Sequence, residues 1–195
     1  MRTSMYSVAA MCLAAMVMGC RTTPKSAEAK EDLQGGAQRA LDRMITADPD
    51  LRGVIDAAYG YAIFPKVGKG GLIVGGGYGR GIVYEQGTMI GYADITQATI
   101  GLQAGGQTFS ELIVFQNKEA LDRFRQNKLE FSANASAVIL KKGAAKAAQF
   151  ENGVAIFIEP RAGAMAEASV GGQKFTFVSD ATARATTRSS ATTRP

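Results

Sequence analysis

The sequence predicts an α+β protein with a small glycine-rich antiparallel β-barrel or sandwich-like core. N-terminal amphipathic helices precede this core, and one further helix lies within it. Three observations predict this class. Apolar residues recur at helical spacing before position 59, the period changes to two from Gly60 onward, and one helical pattern returns after Asn117. The length of 195 residues suits one domain with tails.

Two helices are predicted before the sheet. The first has an apolar stripe, weakened early by a glycine pair, that is formed by Leu33, Ala37, Ala40, Leu41, Met44 and Ile45. Asp48 and Pro49 are typical of an N-cap followed by proline in the first helical turn. They predict a short second helix whose apolar face comprises Leu51, Val54, Ile55 and Ala58.

The segment from Gly60 to Gly81 has nine glycines in 22 residues, three basic side chains and no acid. Its apolar runs predict short strands, separated by glycine turns, at Tyr61 to Phe64, Leu72 to Val74 and Gly81 to Glu85. The glycines are expected to allow positive-φ turns and close approach of backbones in a tight sheet.

A phosphate-binding loop is the alternative for this segment, and the glycine spacing argues against it. Gly68 and Lys69 are followed by glycine, where a Walker A loop has Ser or Thr. Gly77, Gly79 and Gly81 are spaced by two and two, whereas the dinucleotide pattern has offsets of two and then three before a helix. The segment therefore favours β-structure over nucleotide binding.

The second half of the chain predicts further strands around one helix. Alternation over 99–104 and the apolar run Glu111 to Gln116 predict two strands. Asn117 is predicted to cap a helix from Lys118 to about Asn127, with Leu121 and Phe124 facing inward. Ala135 to Leu140 remains ambiguous between strand and helix, and three later strands are predicted at Val154 to Ile158, Ala164 to Val170 and Lys174 to Val178.

A shift of 93 residues aligns parts of the two halves. Gly60, Ala62, Ile63 and Phe64 recur as Gly153, Ala155, Ile156 and Phe157. Either two related strand-turn-strand units pair in a closed or sandwiched sheet, or two glycine-rich hairpins are similar by chance.

The N-terminus predicts export and a lipid anchor. Arg2 is the only charge before an apolar run, Tyr6 to Met18, that is too short to span a bilayer. The run ends in Val-Met-Gly-Cys, which resembles the lipobox of bacterial lipoproteins and makes Cys20 the site of lipid attachment. An ordinary secretory signal with an incidental cysteine is the alternative. The resemblance to lipoproteins of Gram-negative bacteria implies, from the absence of Asp after Cys20, sorting to the outer membrane with the domain facing the periplasm.

Four segments follow from these patterns. Residues 1–19 are predicted to be the lipoprotein signal peptide and 20–32 a flexible tether. Residues 33–178 are predicted to form the folded domain. Residues 179–195, which are rich in Ala, Thr, Ser and Arg, are predicted to form a disordered tail, because they cannot bury enough apolar surface to offset the entropy of ordering.

The composition argues against most enzymatic chemistry. The chain has no histidine, and its two cysteines are accounted for, because Cys12 leaves with the signal and Cys20 carries lipid. Zinc sites and histidine-dependent triads are therefore excluded, and no cofactor is predicted. The four carboxylates near predicted strands are expected to be solvated strand ends, namely Glu111, Glu151, Glu159 and Glu167.

The remaining chemical signal is electrostatic. Lys66, Lys69 and Arg80 flank the glycine turns, Lys141, Lys142 and then Lys146 follow a later apolar run, and Arg161 occupies the turn equivalent to that of Lys69. If they converge, they form a basic surface for an anionic headgroup; dispersed surface charge is the alternative. The net charge of +5 includes no dense basic run, so no nucleic-acid partner is predicted.

An ordered series of blocks resembles the SYLF domain family, also described as a lipid-binding or actin-binding domain. The blocks are Ala62 to Lys66, Gly70 to Gly81, Ile100 to Gln107, Phe109 to Asn117, Ala133 to Ala148 and Gly163 to Gly172. The resemblance spans about residues 37 to 178 and implies a small, non-enzymatic α+β domain that binds membrane lipids.

In eukaryotic relatives the ligands are phosphoinositides, which are bound partly by an N-terminal amphipathic helix. Here that helix corresponds to Ala37 to Ile45, with Arg39 and Arg43 one turn apart. Some members bind actin, but this chain shows no appended SH3 domain and lacks the family's aromatic ending, so actin is not expected as a partner.

Together these features predict a non-enzymatic, lipid-anchored envelope protein that binds anionic lipids or a similar amphiphile. The predicted binding residues are Lys66, Lys69, Arg80, Lys141, Lys142, Arg39 and Arg43. The alternative is a structural or interaction module of the cell envelope that binds a protein partner.

Overall fold

A computed structural model describes residue 24 and residues 26–128, 130–132 and 137–180. The predicted signal peptide, Cys20 and the tail beyond position 180 lie outside these residues. The described elements, in chain order, are helices α1 (Ala27–Ala47) and α2 (Asp50–Asp56), strands β1 (Gly60–Gly71), β2 (Val74–Glu85) and β3 (Thr88–Phe115), helix α3 (Lys118–Arg125), and strands β4 (Glu130–Ser132), β5 (Ala137–Ile139) and β6 (Val154–Ser179). The predicted α+β class is confirmed.

The first helix is longer than its apolar stripe predicts. Ser26 is its N-cap and accepts a hydrogen bond from the N–H of Ala29 at 3.1 Å. The helix therefore begins at Ala27, within the segment predicted as a tether. Ala37, Ala40 and Met44 are buried against the sheet, as the stripe predicts.

The glycine-rich segment forms two long strands in place of three short ones. β1 and β2 pair along their whole lengths, from Gly60 with Glu85 to Gly71 with Gly75. The connection lies at Leu72 and Ile73, which were predicted to be part of a strand. None of the glycines in this segment has a positive φ, so the expectation of left-handed glycine turns is wrong here.

β3 and β6 are very long strands that cross the whole sheet. The first half of β3 pairs with β2 and its second half pairs with β1, while β6 pairs with both halves of β3. Among the described residues the sheet has six strands, antiparallel except for the pairing of β5 with β6, and it does not close into a barrel. β5 resolves the ambiguity of the segment around 135–140 in favour of a strand.

The sheet is strongly curved, so that distant strands face each other. The rings of Phe64 on β1 and Phe175 on β6 have centroids 6.0 Å apart. In a flat sheet these strands, separated by β2 and the first half of β3, would lie about 14 Å apart at about 4.8 Å per strand. The concave side, termed the inner face, carries Ala62, Ile95 and Ile113 in the same cluster.

The two faces bury separate hydrophobic clusters. α3 fills one end of the inner face with Ala120, Leu121 and Phe124, and Asn117 caps it by accepting from the N–H of Ala120 at 2.9 Å. These predictions for α3 are confirmed. The opposite side, termed the outer face, is covered by α1 and α2 over a second cluster that includes Ile63, Ile82, Leu112 and Phe157.

The spacing of Gly77, Gly79 and Gly81 follows from this curvature. All three lie on the inner face of β2, where a side chain would collide with residues from neighbouring strands. A Cβ at Gly79 would lie 2.8 Å from Val67 Cγ2, and one at Gly81 would lie 2.6 Å from the carbonyl oxygen of Ile63. Close backbone approach, the second role predicted for these glycines, is therefore present.

The residues that match at a shift of 93 positions do not occupy equivalent positions in the structure. Ala62 packs in the inner cluster and Ile63 in the outer one, whereas Ala155 packs outward and Ile156 inward. The two segments flank the same part of β3 with opposite faces, so the interpretation as two related units is not supported by their packing.

Candidate functional site

A basic cleft lies between α1 and the outer face of the sheet. It has a volume of about 400 Å³ and is lined by Ala29, Asp32, Leu33, Gly36, Arg39, Arg43, Pro65, Lys66, Arg80 and Arg161. Four of the seven predicted cations, Arg39, Arg43, Lys66 and Arg80, therefore line one site. Arg161, which the sequence placed in a turn equivalent to that of Lys69, is a fifth.

A β-bulge at Pro65 directs Lys66 into this cleft. The register of β1 shifts by one residue between Ile63 and Lys66. Phe64 and Val67 consequently both face inward, and Lys66 between them faces outward beside α1. Pro65 cannot donate a ladder hydrogen bond, and proline within a sheet is confined to edges and bulges. Gly36 allows the helix to approach this point, since a Cβ there would contact the Pro65 ring at 3.6 Å.

Two of the cations are held by carboxylates of the sheet. Arg43 donates from Nε to Glu159 Oε1 at 3.2 Å and from Nη2 to Glu159 Oε2 at 3.3 Å. Its Nη2 also lies 3.2 Å from Ser110 Oγ. Arg80 donates from Nε to Asp94 Oδ1 at 3.4 Å, and Asp94 is almost completely buried. These ion pairs hold the two guanidinium groups in fixed orientations before any ligand binds.

The other three cations carry the net charge of the cleft. Arg161 donates from Nη1 to the backbone carbonyl of Pro65 at 3.3 Å, a contact that leaves its charge unbalanced. Within the part of the chain that the structure describes, Arg39, Lys66 and Arg161 form no ion pair with a carboxylate. Asp32 is the acidic residue of the lining. An anion entering the cleft would meet several unbalanced guanidinium and ammonium donors.

The remaining predicted cations lie elsewhere. Lys69 is on the inner face, where it lines a second cavity of about 450 Å³. Lys141 and Lys142 are exposed on a turn beside the junction of α1 and α2, and neither lines the cleft. Four of the seven predicted binding residues therefore line the cleft, whereas Lys69, Lys141 and Lys142 do not.

A buried carboxylate holds the turn that carries Lys141 and Lys142. Asp48 accepts from the N–H of Gly143 at 3.0 Å, of Ala145 at 2.6 Å and of Asp50 at 3.3 Å. Burial would raise the pKa of Asp48, but these backbone hydrogen bonds outweigh it, so the pKa lies below its ordinary value. α2 begins at Asp50, one residue later than the predicted proline start.

Glu111 departs most from its sequence-based prediction. It was expected at a solvated strand end and is instead completely buried on the inner face. Burial raises its pKa to about 8, and a hydrogen bond from Gln173 to its Oε2 at 3.3 Å opposes this only partly. The signal was present, because Phe109, Ile113 and Phe115 share its strand parity and are all buried in the inner cluster.

Neither a metal-ligand cluster nor a membrane-spanning helix is found among the described residues. No cluster of three or more Cys, Asp or Glu side chains there could hold a metal ion. None of the helices in that part of the chain combines the length and apolar character needed to cross a bilayer.

The curved sheet, its helical cover and the basic cleft define a small α+β module of the binding type. A family model described as "Ysc84: Las17-binding protein actin regulator" matches residues 96–194, about half of the chain. The chain belongs to this family, whose characteristic unit is the SYLF domain, and the resemblance found in the sequence is confirmed. The match includes Arg161 and begins after the cleft residues of α1, β1 and β2.

One curated relative extends the similarity over most of the chain. It is beta cell expansion factor A from Aeromonas veronii, with 28% identity over 161 residues. The aligned region covers 82% of this chain and 61% of the relative, so this chain spans less than two thirds of that protein.

Proposed function

We propose that this protein is a non-enzymatic, lipid-anchored component of the bacterial cell envelope that binds anionic lipids or a similar amphiphile in the basic cleft. The observation that carries the proposal is the convergence of five cations in one cleft of about 400 Å³. Membership of a family of binding domains supports the non-enzymatic part.

The chemistry of the cleft suits a phosphate-containing headgroup. Guanidinium groups recognise phosphate through paired hydrogen bonds, and Arg43 and Arg80 are already held in place by their carboxylate partners. Arg39, Lys66 and Arg161 supply the unbalanced charge. Leu33, Ala29 and Pro65 add apolar contacts for the part of an amphiphile next to its charged group.

Binding of vesicles by the chain without residues 1–19 and with Cys20→Ser tests this proposal without the contribution of a lipid anchor or of the apolar signal segment. We expect the chain to co-sediment with vesicles containing anionic lipid and much less with neutral vesicles. Reversing charge with Arg39→Glu and Lys66→Glu should lower the affinity about 10- to 100-fold, since each cation near an anionic surface contributes about 1 kcal/mol. Added salt should weaken binding because the cleft is open to solvent.

The matched control is Lys141→Glu with Lys142→Glu. It makes the same change in net charge at two exposed residues outside the cleft. Only a small loss is expected. An equal loss in both double variants would indicate diffuse attraction and would contradict a specific cleft.

The proposed location is the outer membrane, with the domain facing the periplasm and Cys20 carrying the lipid. Two acyl chains anchor firmly, whereas one chain anchors only marginally. Cys20→Ser is expected to move the protein to the soluble fraction of fractionated cells. Retention of the variant's signal-processed form in the membrane fraction would contradict an anchor at Cys20.

An envelope protein partner is the second candidate, and the exposed end of the β1–β2 hairpin favours it. Leu72, Ile73 and Val74 are each about 70% exposed, as is Ile100 on the neighbouring strand. Contiguous exposed aliphatic side chains are typical of interaction surfaces. A stoichiometric partner lost on substitution of Ile73 with Ser, with no preference for anionic lipid, would support this candidate. Because export is proposed, the actin-regulating role in the family description is not extended to this chain.

A further inference from the structure

Exposed aliphatic side chains are concentrated at the end of the β1–β2 hairpin. Seven large hydrophobic residues of the described chain are exposed, and four of them lie here. Leu72 is 70% exposed, Ile73 68%, and Val74 and Ile100, which pair with each other across β2 and β3, are both 69% exposed. These four residues are termed the hairpin tip. Single exposed apolar side chains are common on proteins, whereas a contiguous group indicates an interaction surface.

The strands behind the hairpin tip offer it nothing to pack against. β1 and β2 pair glycine with glycine there, Gly70 with Gly76 and Gly71 with Gly75. The hairpin is also narrow at this point, since a Cβ at Gly71 would lie 2.7 Å from the carbonyl oxygen of Val74. The aliphatic side chains therefore project from a thin, glycine-rich pair of strands, and the described part of the fold leaves them in solvent.

The charges nearest to the hairpin tip on its own two strands are both positive. Lys69 lies three residues before the tip, roughly 10 Å at about 3.3 Å per residue, and Arg80 lies six residues after it, roughly 20 Å. On β3, residues 95–110 are uncharged. Glu167, opposite Gln103 in the register of β6, is the acidic residue at this end of the sheet. An aliphatic end with cations behind it matches the layers of a membrane surface, where anionic headgroups cover an apolar interior.

The hairpin tip and the basic cleft lie on the same side of β2. Val74, Tyr78 and Arg80 share the strand parity of Ile82, which packs in the outer cluster. Arg80 lines the cleft, and its Nη2 donates to the hydroxyl of the half-exposed Tyr78 at 3.2 Å. Tyrosine is enriched at membrane–water interfaces, because its ring is apolar and its hydroxyl is polar. One membrane can therefore contact both the tip and the cleft when β2 lies oblique to it.

A bilayer suits this tip better than a folded partner does. A hairpin end is convex, so a protein would need a matching apolar pocket, whereas the lipid interface admits a protruding apolar group. Interfacial protein elements reach about 5–10 Å into the boundary between headgroups and acyl chains. That depth takes the tip below the headgroups and leaves Lys69, roughly 10 Å back along β1, at their level.

We propose that the hairpin tip inserts into the boundary between the headgroups and acyl chains of a lipid bilayer, with Lys69 at the headgroup level. The inference rests on the proposed lipid binding and adds to it an apolar contact that salt does not screen. The cleft then accounts for the preference for anionic lipid, and the tip accounts for the binding that remains at high salt.

Tryptophan fluorescence measures insertion directly, because the chain contains no tryptophan. Ile73→Trp, in the chain without residues 1–19 and with Cys20→Ser, places one probe at the tip. With vesicles of phosphatidylglycerol and phosphatidylcholine, we expect its emission to shift to shorter wavelength. Lipids brominated near the top of their acyl chains should quench it about twofold or more.

The matched control for this probe is Ile139→Trp. Ile139 is 62% exposed but lies on β5, outside the tip. Neither a shift nor quenching is expected there. Absence of both effects at position 73, or equal quenching at the two positions, would overturn the proposal.

Leu72→Ser with Ile73→Ser removes the apolar contact and leaves the charge unchanged. Both side chains are exposed, so the fold should be retained, which thermal unfolding verifies. Affinity for the anionic vesicles should fall about tenfold or more, and the binding that remains in about 0.5 M salt should disappear. Ile139→Ser removes a similarly exposed aliphatic side chain outside the tip and should change the affinity less than about twofold. An unchanged affinity of the folded double variant would contradict insertion.

Failure of the tip and failure of the cleft can be told apart. The Arg39→Glu, Lys66→Glu protein should lose the preference for anionic lipid, yet Ile73→Trp in that background should still be quenched by neutral brominated vesicles at high lipid concentration. If the anionic preference depends on the cleft while the tryptophan stays unquenched, the insertion is wrong and the cleft stands. If the tryptophan is quenched while the cleft variant keeps its preference, the cleft is wrong and the insertion stands. A stoichiometric protein partner that is lost with Leu72→Ser and Ile73→Ser, together with an unquenched probe, would assign the tip to that partner and overturn the proposal.

Discussion

Two buried carboxylates, one on each side of the sheet, have pKa values shifted in opposite directions. Asp48, beneath the helical layer on the outer side, accepts three backbone N–H hydrogen bonds and has a lowered pKa. Glu111, on the inner face, accepts one hydrogen bond from an amide and has a pKa raised to about 8. Neither side chain is exposed to solvent, but Glu111 lies deeper and has fewer hydrogen-bond donors than Asp48, so desolvation prevails at Glu111 and hydrogen bonding prevails at Asp48.

The difference extends to the surroundings of each group. On the outer side, Glu159 and Asp94 have arginine partners, so charge is balanced by the protein itself. On the inner side, the Oε1 atoms of Glu111, Gln97 and Gln173 are buried and have no hydrogen-bond partner in the described part of the chain. The outer side thus pairs its carboxylates with cations or backbone donors, whereas the inner side leaves Glu111 with one amide donor.

The largest expected effect is on the pH dependence of stability through Glu111. Its folded-state pKa of about 8 exceeds the ordinary value of 4.5, so the folded state binds the extra proton between these values. Stability is therefore fully present below about pH 4.5 and is lost as the pH rises to about 8, by about 1.4 kcal/mol per unit and about 5 kcal/mol in total. The chain has no histidine to obscure this window.

Urea unfolding of the wild-type chain and of Glu111→Gln between pH 5 and 9 measures this effect. The free energy of unfolding should decline with pH in the wild type and remain nearly level in the variant. Parallel declines in both proteins would show that another group is responsible.

The second effect concerns the tight approach of strands on the inner face. Gly81→Ala places a Cβ within 2.7 Å of the Phe64 ring and within 2.6 Å of a backbone oxygen. We expect a loss of about 2–3 kcal/mol in the free energy of unfolding, the upper part of the range typical of overpacking. Gly68→Ala in the neighbouring strand is the control, because a Cβ there contacts nothing within 4 Å. Similar losses for both would indicate a general intolerance of side chains in these strands.

The smallest expected effect is the change in the free energy of unfolding when Asp48 is replaced. Asp48→Asn removes a charged acceptor from three backbone donors and should destabilise the protein by about 1–2 kcal/mol at pH 7. The stabilisation by Asp48 is present above the ordinary pKa of 3.8 and is lost as the pH falls through the lowered folded-state value. The same acid-to-amide change is therefore expected to be unfavourable at position 48 and favourable at position 111 near pH 8. Chemical unfolding of both variants at one pH compares them directly, and shifts of the same sign would remove the distinction.

Local patterns predicted the elements of this fold better than they predicted side-chain direction. Asn117, Leu121 and Phe124 behave as their spacing predicts, because capping and helical periodicity are properties of neighbouring residues. The merging of short predicted strands into β3 and β6 could not be predicted, since glycines within the strands were interpreted as turns. Their role depends on contacts between strands that are distant in sequence.

The candidate site illustrates the same limit. Lys66 and Lys69 are close in sequence and were predicted to act together, but they are three residues apart in a regular stretch of β1, so the alternation of side chains places them on opposite faces. The bulge at Pro65 determines that Lys66 is the one that faces outward. Pro65 was the available signal, because proline inside a strand indicates an edge or a bulge. The convergence of Arg39 and Arg43 with β1 and β2 depends on the docking of α1, which the sequence does not encode locally.

The position of β6 at the end of the described chain has a kinetic consequence. This strand pairs along both halves of β3 and supplies Phe157 to the outer cluster and Phe175 to the inner one. Neither cluster is complete until the chain has been synthesised to about position 179, and the long-range pairing that completes them is intrinsically slow. A nascent chain of this sequence therefore reaches its stable folded state only after its last strand is available.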